Sequence, residues 1–211
     1  MPEVFISRQP VVNRQSKIIA TRLVLHLDGG ATTRDAANAL TALSDVWPQG
    51  EKSFFISCDG TPCDEGLLAW QTPQNATIEL QGASFSAPNP TPLLDALQAT
   101  QPSLCLNFDE NVQSALNAGL PFRFVSFDAR RVPVAQLKIL AAKTHALGIG
   151  IAFNVFDAPT FQACLDAGVN AAASWFFKNP GRPPAKALNP GQAQIIRVMN
   201  LVRSNAEIRE I

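Results

Sequence analysis

The stretch Val4–His26, VFISRQPVVNRQSKIIATRLVLH, decides how the chain folds. Two apolar runs, Val4–Ile6 and Ile18–Leu25, flank a polar connection at Asn13–Lys17. Ile18–Leu25 is rich in β-branched residues and leucine and is short for a helix, so it reads as a strand. Val4–Ile6 reads as a shorter strand beside it, and the pair as a hairpin that opens the fold. Arg22 lies in the middle of the second strand. A lone charge there points either to solvent, as charged side chains generally do, or into a site.

Beyond the hairpin, apolar runs and helical patterns alternate. Thr32–Trp47 has Ala36, Ala39, Leu40 and Leu43 at helical spacing, with Thr33 as the expected N-cap. Ser53–Ile56 reads as a buried strand and Thr61–Trp70 as a helix. Ala76–Gln81 is a strand that sets Thr77, Glu79 and Gln81 on one face. Pro92 suits the first turn of a helix over Leu93–Ala99. Strands are then expected at Leu104–Phe108, Phe122–Phe127, Ile149–Val155 and Val169–Phe177. Helices are expected at Asn111–Ala118, Val134–Leu147 with a stop at Gly148, and Thr160–Ala167.

Such alternation implies a parallel sheet with helices outside it. About eight strands suffice for a (β/α)8 barrel, while a doubly wound open sheet has the same local pattern. After the strands, Asn179–Pro190 holds four prolines and reads as a linker. Gly191–Arg203 places Ile195, Ile196, Met199 and Val202 on one face of an amphipathic helix.

The 211 residues carry 17 Lys+Arg and 17 Asp+Glu, so no charge excess favours a nucleic-acid or membrane surface. A hydrophobic share of 46% supports a sizeable core. No run spans a bilayer. Glu3 ahead of the first apolar run argues against a signal peptide, and a cytoplasmic location is expected. Cys58, Cys63, Cys105 and Cys164 read as buried free thiols rather than zinc ligands or disulfides. The histidines, His26 and His145, offer no nucleophile–base pairing in the sequence, and His145 suits the end of its helix.

The opening FISRQPVVNRQSKIIATRLVLH resembles the start of the EAL domains of bacterial cyclic-di-GMP signalling. It is most similar to the branch in which EAL is followed by HDOD, whose members open with a pattern like FIARQPIFDR…VVGYELLFR. Ser7-Arg8-Gln9-Pro10 and Asn13-Arg14 match, and Ile18–His26 lies in register. The resemblance implies an EAL barrel of the (β/α)8 type with an antiparallel first strand. It divides the chain into a barrel over 1–188 and a C-terminal helix over 189–211 leading toward an HDOD domain.

The resemblance also implies where a site would stand. The signature glutamate falls on Arg22 and the arginine that ends the motif on His26. An Asn at the end of the next strand is replaced around Ser57. Glu79 in TIELQG keeps a glutamate. The paired aspartates fall on Asn107 and Phe108. FVSFD keeps Asp128 but has Ser126 for lysine. AEKVE falls on Ala152–Phe156, with Asn154 at the lysine, and the final glutamine falls on Ala173. Trp175, Phe176, Phe177 and Pro180 keep the apolar frame.

EAL enzymes resemble two-metal phosphodiesterases, whose cations need oxygen ligands. With so few ligands retained, these are vestigial positions, and no metal or other cofactor is expected. The chain reads as a catalytically inactive regulatory or protein-interaction module, not an enzyme, without hydrolysis of cyclic-di-GMP. Arg22 is expected to pair with both Glu79 and Asp128 in place of a cation. A protein partner is expected, its own HDOD domain among the options, and a homodimer is a further option. Cyclic-di-GMP is not expected as a ligand, although a receptor that binds without cleaving is the alternative reading.

Overall fold

The computed structural model describes residues 2–50 and 52–173. Eight strands, β1 (Glu3–Asn13), β2 (Ile18–Asp28), β3 (Ser53–Cys58), β4 (Ala76–Gln81), β5 (Ser103–Asn107), β6 (Phe124–Asp128), β7 (Ile149–Phe153) and β8 (Ala171–Ala173), close into a barrel in chain order. Strands β2 to β8 run parallel. Strand β1 runs antiparallel to β2 and, through Val11–Asn13, to β8. That last pairing closes the sheet and rules out the open-sheet reading. The connections carry α1 (Thr33–Ala42), α2 (Gly82–Phe85), α3 (Thr91–Thr100), α4 (Val112–Asn117), α5 (Leu137–Leu147) and α6 (Ala158–Asp166).

Period-2 alternation sorts the strand residues into two cores. Outward residues such as Ile56, Ile78, Leu80 and Leu106 pack beneath helices together with Leu40 and Leu97. Phe127 and Ala152 do the same against Leu137, Phe161 and Leu165. Inward residues fill the barrel: Val11, Ala20, Phe55, Cys105, Ile151, Phe153, Ala171 and Ala173. The rings of Phe124 and Phe153 stand edge-on to Phe55 at 5.0 and 5.9 Å. The alanines of β2 and β8 leave room for those rings.

Several elements differ from the sequence reading for local reasons. The first strand runs on through Asn13. Asn13 Oδ1 accepts the N–H groups of Gln15 and Lys17, both at 3.0 Å, and this holds the tight turn into β2. The N-cap of α1 is Thr32, not Thr33, because Thr32 and Asp35 form a reciprocal capping box; Thr33 is buried and donates its hydroxyl to Asp64. The helix expected at Thr61–Trp70 is a single 3-10 turn, Leu67–Ala69. Its apolar residues Leu67, Leu68 and Trp70 are packed into the outer core, and that packing explains their spacing. A 3-10 turn at Val134–Gln136 precedes α5, which ends at Gly148 with His145 in its last turn. The four cysteines are buried free thiols, and burial pushes Cys58 up to about 12, so they stay protonated. The linker and helix expected at 179–203, and Trp175, Phe176, Phe177 and Pro180, lie outside the described residues.

Candidate functional site

The polar side chains that meet around Arg22 stand toward the C-terminal ends of the parallel strands. Below them the interior is mostly apolar, with the Thr77 hydroxyl donating to Ser103 Oγ at 3.0 Å at the opposite end of the barrel and Ser126 buried between. On β2, Arg22 lies one inward position above Ala20, and it is 6% exposed. Its guanidinium donates from Nε to Glu79 Oε2 at 3.1 Å and from Nη2 to Glu79 Oε1 at 3.3 Å. Nη2 also reaches Ser57 Oγ at 2.9 Å, and Nη1 reaches Gln9 Oε1 at 3.3 Å. The plane lies over the Phe153 ring, 4.2 Å from its centroid. Asn107 Nδ2 donates to Glu79 Oε1 at 2.7 Å. A buried carboxylate and a buried guanidinium thus satisfy each other, as burial of charge requires.

Asp128 does not share this pair. It is engaged by Arg130, from the backbone N–H at 2.9 Å and from the guanidinium Nε at 3.0 Å, and by Asn154 Nδ2 at 3.0 Å. The expected three-membered cluster is therefore two clusters. Asp128 ends β6 and caps the 3-10 turn Ala129–Arg131, so the arginine two residues on is the nearer cation. Gln9 links the two clusters: its Nε2 donates to Asn154 Oδ1 at 3.5 Å while its Oε1 accepts from Arg22. Asn154 holds a left-handed backbone, φ +56°, a conformation asparagine tolerates better than most residues.

Arg22, Ser57, Glu79 and Asn107 thus meet directly, and Asp128 and Asn154 join through Gln9. Ala173 contributes only a methyl group to the apolar interior. His26 stands one inward position beyond Val24, nearer the mouth. Contrary to the sequence reading, it does sit in a nucleophile–base arrangement, with Ser7 Oγ 2.8 Å from its Nε2 and Asp59 Oδ2 3.1 Å from its Nδ1. Sequence reasoning did not single out Asp59 or Arg130, and it named Ser7, Gln9 and Phe153 only as positions of the resemblance, not as members of a site. Alternation along β1 puts Ser7, Gln9 and Val11 on one face, and that was the available signal.

Burial alone would raise the Asp128 carboxyl. The hydrogen bonds from the Arg130 side chain and backbone and from Asn154 outweigh it and hold the group below its ordinary value. A depressed carboxyl contributes stability that is present above the unfolded value of about 3.9 and is lost as pH falls through the folded value. Urea melts at pH 7, 5 and 3 should therefore show a smaller acid loss for Asp128→Asn than for wild type. Equal losses in the two proteins would remove Asp128 from the acid-labile set.

These side chains line a cleft of about 700 Å³ at the barrel mouth, together with Asp59, Arg131, Ile139 and Lys143. That volume lies within the range of small-molecule sites.

Three solved structures show what the barrel is similar to. BlrP1 of Klebsiella pneumoniae, as a calcium and cyclic-di-GMP complex, superposes with TM-score 0.60 at 14% identity over 83% of this chain and 57% of that one. The EAL enzyme Bd1971, with cAMP and cyclic-di-GMP bound, gives 0.58 at 12% over 83% and 61%. The PaMucR phosphodiesterase–cyclic-di-GMP complex gives 0.55 at 12% over 85% and 96%. This chain thus spans about three-fifths of BlrP1 and Bd1971. No protein-family profile matches the chain. No curated protein matches it either.

The likeness shows the fold, an EAL-type barrel. It overturns the expectation that the protein is not an enzyme, because the barrels it matches include a phosphodiesterase and an EAL enzyme. It also runs against setting cyclic-di-GMP aside as a ligand. Among the described residues no helix is long and apolar enough to cross a membrane.

A divalent cation, as in the BlrP1 complex, does not fit the donor set here. Arg22 and Asn107 occupy the Glu79 oxygens, and Arg130 and Asn154 occupy Asp128. Among the described residues no group of three or more His, Cys, Asp or Glu could hold a metal ion.

Proposed function

We propose that the chain is a regulatory, cytoplasmic module of bacterial signal transduction that receives a cyclic dinucleotide, cyclic-di-GMP in the first instance, at the mouth of its barrel. The observation that carries this reading is the cleft itself. It is polar and of nucleotide size, and Arg22, Arg130, Arg131 and Lys143 line it beside the carboxylates of Asp59, Glu79, Asp109, Glu110 and Asp128. Guanidinium groups suit phosphodiester oxygens. Three of the solved barrels it is similar to are complexes with cyclic-di-GMP. Because Arg22 already neutralises Glu79, while Arg131 and Lys143 line the cleft and make no ion pair among the described residues, binding in this reading needs no divalent cation.

Titration calorimetry with cyclic-di-GMP, in Mg²⁺ and in EDTA, tests the reading. Binding is expected with Kd on the order of micromolar, about −8 kcal/mol, and equal in both buffers. Arg131→Ala and Lys143→Ala should each weaken it. Absence of binding heat at ligand concentrations of roughly a hundred times that Kd would reject a cyclic-dinucleotide site. Binding that appears only with Mg²⁺ would reject the cation-free reading. Chromatography of the same samples shows whether the nucleotide is turned over.

A second reading, docking of a protein partner on the same rim, is favoured by exposed apolar side chains. Val134, Ile139 and Phe156, on the segments after β6 and β7, are 63%, 62% and 58% exposed.

A further inference from the structure

Ser7, His26 and Asp59 come from three separate elements: β1, β2 and the turn after β3. Because β1 runs antiparallel to β2, its N-terminal half stands at the mouth, and Phe5 is paired with His26 in the ladder. Ser7 therefore faces the imidazole from the neighbouring strand. Asp59 is set by its own N–H, which donates to Leu25 O at 2.9 Å. Backbone ladders position all three residues.

The proton placement follows from the donor inventory. A carboxylate only accepts, so in the neutral ring Nδ1 carries the proton and donates to Asp59. Nε2 is then the acceptor, and the Ser7 hydroxyl must donate to it, at 2.8 Å. A serine hydroxyl held on a histidine lone pair, with a carboxylate fixing the tautomer, is the arrangement that generates a nucleophilic serine on unrelated folds. The side chains of His26 and Asp59 are 41% and 62% accessible, so the group is open to reactants.

We propose that Ser7, His26 and Asp59 form a nucleophilic acyl-transfer site at the rim of the barrel, taking small carboxylic esters with good leaving groups. Ser7 Oγ attacks the ester carbonyl and its proton passes to His26 Nε2. The bond to the leaving oxygen breaks, and that oxygen takes the proton from His26 as the alcohol departs. Water, deprotonated by His26, then attacks the acyl-serine, which releases the carboxylic acid and restores the Ser7 hydroxyl. Asp59 is a positioning residue that holds the tautomer. An amide has the poorer leaving group, and His26 and Asp59 stand open to solvent, hence the restriction to activated esters.

The test uses the full chain and a fluorophosphonate probe, which traps a nucleophilic serine without needing turnover, read by intact mass and peptide mapping. One label per chain at Ser7 is expected, and none in Ser7→Ala. General-base assistance contributes about 10²–10⁴-fold, so His26→Gln should slow labelling by at least about a hundredfold. Asp59→Ala should slow it as well, and Asp59→Glu should restore it, which a merely structural role would not do. Wild-type protein should release p-nitrophenol from its acetate ester faster than Ser7→Ala. The proposal is overturned by the absence of label, by label on another serine, or by a labelling rate that His26→Gln leaves unchanged. Because this site does not involve the nucleotide cleft's Arg22–Glu79 pair, failure here leaves the cyclic-dinucleotide reading untouched.

Discussion

Arg22→Ala is expected to lower stability by about 3–5 kcal/mol, the usual effect of removing one partner from a buried ion pair. The mutant would leave Glu79, 3% exposed, with one hydrogen bond from Asn107 and no counter-charge. It would also strip the Phe153 ring of its guanidinium cover and leave Ser57 Oγ without its donor. For a barrel of this size each kcal/mol moves the melting temperature by about 2–4 °C, so a drop of roughly 10 °C should be visible in a thermal scan. Arg22→Lys should fall between the two, since an ammonium keeps the charge but loses the fork and the stacking. The double variant Arg22→Met/Glu79→Leu separates an unpaired charge from lost packing. Removing both charges should recover most of the loss, because buried pairs exchange nearly neutrally for apolar side chains of similar volume. If Arg22→Ala melts like wild type, the pair does not hold the mouth together.

Phe55→Ala should cost about 3–5 kcal/mol as well, through a different mechanism. Phe55 is 2% exposed at the centre of the barrel, edge-on to Phe124 and Phe153. The interior walls nearby are Ala20, Ala171 and Ala173, which have no atoms to swing into the void. Strands of a closed barrel cannot move inward without breaking ladders, so the cavity persists and its full penalty is felt. Phe55→Leu should lose much less, because it restores part of the volume. Urea titration of the two variants measures both. A Phe55→Ala loss below about 1 kcal/mol would mean that the barrel collapses around the gap.

Much of the fold was legible because it depends on local period. Runs such as Ile149–Val155 and Phe122–Phe127 are too short for helices and too apolar for surface, so their strand state follows from composition. The amphipathic stretch ahead of Gly148 announces α5 in the same way. Thr61–Trp70 misled because the residues that pack outside a barrel can be spaced like a helix while the backbone makes only one 3-10 turn. The candidate site was legible only strand by strand. Alternation put Arg22 and Glu79 each on one face of its strand and the resemblance placed Asn107, but neither says anything about distance between strands. Asp128 shows this: its inward placement suggested Arg22, whereas the turn after β6 delivers Arg130 at shorter range.

The sequence by itself determined the alternation of strands and helices, which residues share a face of each strand, the balance of charge, and the likeness of its opening to EAL domains, because these are properties of residues near one another in the chain. Only the tertiary structure decided that β1 closes the barrel against β8, that Glu79 rather than Asp128 neutralises Arg22, and that Ser7, His26 and Asp59 meet. Each of those depends on the register between strands distant in sequence. A register shift of one residue turns every side chain to the other face, and barrel closure, not composition, sets which side chains arrive at the same height.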